Sequence, residues 1–174
     1  MKKTKAAIAA ILLVCFSFTA CTQSQVTQAE NLTAVLLQDV PPILEILAGA
    51  GVLAPATLTK AQAAAGQATA DFSLAQTLIK DYQALPSVTT AQKIDAALSD
   101  ATTNLNAILT AARVLNPQKV QTIQGAITLM LNTVAQVEAV FPTTASVSAV
   151  KASNKIKLPS AKSFQKKFHS ILGQ

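Results

Sequence analysis

The chain has 174 residues, 51% of them apolar and only 13% charged, with 14 basic side chains against 8 acidic ones. Its single histidine and two cysteines exclude a disulfide framework and the Glu-x-x-His pairs of a di-metal bundle. Ala and Leu are abundant, Gly is scarce and Trp is absent, which favours helix.

Lys2, Lys3 and Lys5 give the N-terminus a positive start, and residues 6–18 are apolar apart from Ser17. A membrane-crossing helix needs ~20 apolar residues. This run is shorter and is followed by small residues, so it reads as a cleaved export signal. Phe18, Thr19, Ala20 and Cys21 then supply an apolar residue, two small residues and a cysteine. Residues 1–21 thereby resemble the precursors of bacterial lipoproteins, and the resemblance extends no further. It implies a signal peptide at residues 1–20, cleavage before Cys21, a diacylglycerol on the Cys21 thiol and a fatty acid such as palmitate on its new amine. Stable membrane attachment takes two lipid signals or more, which three acyl chains satisfy. By the same resemblance, Thr22 in place of Asp implies the outer membrane, facing the periplasm, rather than the inner one. The alternatives are ordinary cleavage that leaves Cys21 as a thiol, and an uncleaved anchor. With Cys15 removed and Cys21 acylated the mature chain has no disulfide, so packing alone must hold it.

The 153 residues after Cys21 suffice for one domain. Residues 22–30 are polar and read as a tether between lipid and fold. A first helix is expected over residues 27–50, with Leu32, Leu36, Val40, Ile43 and Leu47 on one face. Pro41 and Pro42 should break or kink it, and Gly49-Ala50-Gly51 should end it in a left-handed cap. These glycines do not make a phosphate-binding loop, because no strand precedes them and no Lys-Ser/Thr follows.

A turn around Pro55 leads to a second helix over residues 59–85. Its seam is Leu58, Ala61, Ala65, Ala68, Phe72, Ala75, Ile79 and Tyr82, spaced alternately three and four. Half of it is Ala, so a partner helix can approach closely. After Pro86-Ser87, Thr89 and Gln92 fit a capping box for a third helix, with Ile94, Leu98, Ala101, Leu105, Ile108, Ala112 and Leu115 on its seam. Asn116 caps and Pro117 opens a fourth helix over residues 117–141. Val120, Ile123, Ile127, Met130, Val134, Val137 and Phe141 carry its seam. Short connections make the neighbours antiparallel. The fold class is therefore all-α: an antiparallel bundle of about four helices over residues 31–141, the first broken at Pro41-Pro42, with a basic C-terminal arm over residues 142–174.

No catalytic, metal or cofactor motif is present. The acids are scattered, Asp95 and Asp100 lack the spacing of helical neighbours, and His169 lies outside the bundle. An enzyme is disfavoured. The arm differs in kind. Residues 22–141 carry five basic and eight acidic side chains, whereas Lys151, Lys155, Lys157, Lys162, Lys166 and Lys167 follow with no acid among them. Ser160 can cap a short helix with Phe164, Phe168, Ile171 and Leu172 on one face. That face either docks on the bundle, leaving the lysines solvated, or the basic helix meets an anionic membrane, an envelope polymer or a protein partner. Nucleic acid fits the charge but not an exported chain. The expected role is a structural or interaction one, as scaffold or adaptor, with a carrier of apolar ligands between the helices as the alternative.

Overall fold

The computed structural model describes residues 23–50, 53–144 and 156–173. They form α1 (Gln23–Ala48), α2 (Pro55–Ala84), α3 (Val88–Ala112), α4 (Pro117–Glu138) and α5 (Ala161–Leu172). There is no strand among the described residues. The fold is an all-α bundle. α1 packs on α2 and α4, and α3 packs on α2 and α4, so four helices close a ring. α5 lies against α1 and α4.

The seams form the core. Leu32, Leu36, Val40, Ile43 and Leu47 of α1 are fully buried, as are Ile94, Leu98, Ala101, Leu105, Ile108 and Ala112 of α3. On α2 and α4 the same holds for Phe72, Ala75 and Ile79 and for Ile123, Ile127, Met130, Val134 and Val137. Only Leu58 and Val120 at the seam ends are partly open. Tyr82 and Phe141 meet edge to face at 5.2 Å, closing one end of the bundle. Across the helices, Asn104 donates to Asp71 at 2.8 Å and Gln83 donates to Glu30 at 3.0 Å.

Several expectations need correction. The stretch read as a tether is helical from Gln23 onward. Val26 and Ala29 are buried and extend the three-four rhythm backward, while Gln23, Ser24, Thr27 and Gln28 face solvent. The first helix is not broken at Pro41-Pro42 but runs through both. Each proline removes a backbone donor and costs about 3 kcal/mol in a helix interior. Burying Leu36, Val40, Ile43 and Leu47 returns about 1.5–3 kcal/mol each, and Pro41 is exposed, so the seam prevails. No left-handed glycine ends α1. Gly49 instead continues with a helical bond from its amide to the Glu45 carbonyl at 2.8 Å, and Gly51 lies outside the described residues. Pro55 does not turn the chain but sits at the first position of α2. The cap of α3 is Ser87, whose Oγ accepts from the Thr90 amide at 3.0 Å, rather than Thr89. Asn116 caps α4 as expected, accepting from the Lys119 amide at 2.9 Å.

By length and composition α1 qualifies as a candidate membrane span. Its apolar seam is nonetheless occupied by the other helices, and Glu30, Asp39 and Glu45 lie along it. It is a core helix of the bundle. Every buried side chain among the described residues falls between Val26 and Phe168, so residues 22–174 retain the whole described core.

Candidate functional site: the basic face of the C-terminal helix

Ser160 caps α5 as the sequence predicts, accepting from the Ser163 amide at 3.1 Å. Gly173 ends it with φ 77°, a left-handed conformation that glycine adopts without strain. Phe164 and Phe168 are buried and stack with centroids 5.9 Å apart. The apolar face of α5 is therefore docked on the bundle. Gly125 of α4 enables the fit, since a Cβ at that position would stand 3.2 Å from Ile171 Cγ2.

Docking on one side leaves the opposite side to solvent. Lys157, Lys162, Lys166 and Lys167 are all exposed. Cys21, Lys151 and Lys155 lie outside the described residues. Two adjoining grooves run between α4 and α5. The larger, of about 500 Å³, is lined by Leu129, Ser163, Lys166, Lys167, Ser170 and Ile171. The other, of about 240 Å³, shares Leu129, Ser163 and Lys167 and adds Lys157, Leu158 and Gln136. Three of the predicted lysines are thus brought together along one channel with an apolar floor, and Lys162 is not among its lining residues. No carboxylate lines either groove.

Beneath α5 sits a group that the sequence did not single out. Asp39 of α1 is 3% exposed, and its Oδ2 has no hydrogen-bond partner. Burial raises its pKa from 3.8 to about 6, and the charge of nearby His169 pulls it partly back down. His169, expected outside the bundle, instead lies on its wall, because Phe168 beside it is buried and meets its ring edge-on at 5.9 Å. The other buried polar side chains are satisfied. Thr33 donates to the Ala29 carbonyl and Thr133 to the Leu129 carbonyl, both at 2.8 Å.

Asp39 gives a pH prediction. Because its folded pKa lies above its unfolded value, the folded chain takes up this proton more readily. Stability is therefore greatest below about pH 4 as far as this group is concerned, and is lost as pH rises through about 6. Asp39→Asn should raise stability at pH 8, on the order of 2 kcal/mol after discounting for solvent screening, and change little at pH 4. Urea titrations at the two pH values measure this. Equal destabilisation at both would mean that the carboxylate is held favourably by its neighbours.

Glu138 at the end of α4 is also pushed up, first by burial and then by repulsion from Asp95. These two acids are distant in sequence and are brought near each other only by the α3–α4 pairing. Asp95 is exposed, and neither acid lines the grooves along α5. Among the described residues no cluster of His, Cys, Asp and Glu has the makings of a metal site. No protein-family model matches this chain, and neither a curated protein nor a solved structure does.

Proposed function

We propose that this chain is a lipid-anchored component of a bacterial cell envelope, held by acyl chains on Cys21 and facing the periplasm from the outer membrane. Its bundle serves a structural or interaction role and performs no catalysis. The observation that carries the interaction role is the division of labour in the C-terminal segment. Phe164 and Phe168 are spent on the core, whereas Lys157, Lys162, Lys166 and Lys167 point to solvent. Charge held outward on a packed scaffold suits recognition of an anionic surface. The lipoprotein-like pattern of residues 1–21 supports the anchor, as does a core that begins only at Val26 and leaves Cys21 free of any packing duty. The alternative, an apolar carrier, would need space between the helices. The grooves along α5 are surface features instead, and the facing seams are filled by side chains.

Cys21→Ser tests the anchor. Cells fed labelled palmitate should place label on the wild-type chain and none on the variant. Equal labelling of both would end the lipoprotein reading.

A further inference from the structure

Two features of the C-terminal segment coincide at one end of the bundle. Gln25, near the start of α1, donates through Nε2 to the Ile156 carbonyl at 3.1 Å. Ile156 immediately precedes Lys157, which lines the smaller groove. Cys21 is four residues before Gln25, a stretch that spans at most ~14 Å even when fully extended. A lipid on Cys21 therefore enters the bilayer close to the end of the bundle at which the basic channel opens.

The chemistry of that channel is specific in kind. Lys157, Lys166 and Lys167 supply three positive charges, Ser163 and Ser170 supply hydroxyl donors, and Leu129 and Ile171 supply an apolar floor. With no carboxylate in the lining, nothing neutralises those charges from within. A phosphodiester with a hydrocarbon stem matches each part: oxygens for the amines and hydroxyls, methylenes for the floor. The lysines also project from a helix whose own aromatic face is buried, so contact does not require α5 to leave the bundle and insert.

We propose that the groove between α4 and α5 binds the headgroups of anionic phospholipids in the membrane to which the chain is tethered. This rests on the envelope reading above. It predicts that the α4–α5 face lies against the bilayer and fixes how the bundle stands on its anchor.

The test uses residues 22–174, which keep the described core and lack Cys21, so its outcome does not depend on whether acylation occurs. Sedimentation with phosphatidylglycerol vesicles should show binding that phosphatidylcholine vesicles do not support and that salt weakens. The triple variant Lys157→Gln, Lys166→Gln, Lys167→Gln should bind on the order of a hundredfold more weakly, about fivefold per lysine. A control triple at exposed sites elsewhere, Lys60→Gln, Lys93→Gln and Arg113→Gln, removes the same charge and should retain most of the affinity. Thermal melting checks that both triples stay folded. Failure of the wild type to bind, equal losses in the two triples, or undiminished binding by the groove triple would each overturn the proposal. Absence of label on Cys21, with the groove result intact, would instead remove only the anchor.

Discussion

Phe168→Ala should destabilise the whole bundle by about 3–5 kcal/mol, a large part of the stability of a domain this size. Phe168 is completely buried, stacks on Phe164 and belongs to the same apolar cluster as the seams of α1 and α4. Removing its ring leaves a cavity at the junction of α1, α4 and α5. It also weakens the contact that holds Asp39 away from water, since His169 and Phe168 are adjacent on α5. Denaturant unfolding followed by circular dichroism measures the effect. The same change on a helix that merely rested on the surface would leave the midpoint almost unmoved. The exposed neighbour Lys167→Ala should do so in any case, which separates loss of packing from loss of the residue.

The second large effect concerns the central seams. Leu105 of α3 and Ile127 of α4 are fully buried at mid-helix. Truncation of either to Ala should cost about 2–5 kcal/mol, the spread depending on how far the surroundings collapse into the gap. Lys93 is exposed on the same helix as Leu105, and Lys93→Ala should change the midpoint by a few tenths of a kcal/mol at most. Chemical denaturation of the three variants decides the register. Similar midpoints for all three would show that the seams have been assigned to the wrong faces.

Those seams were readable because a long helix displays its buried face as a repeat. Ile94 to Ala112 and Ile123 to Val137 show that rhythm without interruption, and every one of these seam residues is buried. The same rule applied weakly at the N-terminus. Val26 and Ala29 fit the repeat, but they are set among Gln, Ser and Thr, so composition suggested a tether where packing makes a helix. Pro41 and Pro42 misled for a different reason. A local penalty is visible in the sequence, whereas the burial on either side that offsets it belongs to the tertiary structure.

The fate of α5 could not be read from the chain at all. An apolar face opposite lysines is equally suited to a bilayer and to a bundle wall. What decides between them is the partner surface, and part of that surface is the missing side chain of Gly125, which lets Ile171 approach. Asp39 was opaque for a related reason. On α1 alone it resembles any surface acid, and it becomes a desolvated carboxyl only once α5 covers it. Lys166 and Lys167 were identified as surface charges, but their convergence with Lys157 on one groove depends on how α5 is turned, which the Phe164 and Phe168 contacts set.

The account turns on α5 being a fixed part of the bundle that presents its lysines outward. Native-state hydrogen exchange across Ala161–Leu172 measures this directly. Docked as described, the α5 amides between Phe164 and Leu172 should exchange far more slowly than those of an unstructured peptide, with protection approaching that of the α3 core around Leu105. Exchange of α5 at the rate of a free peptide, while α3 stays protected, would contradict it.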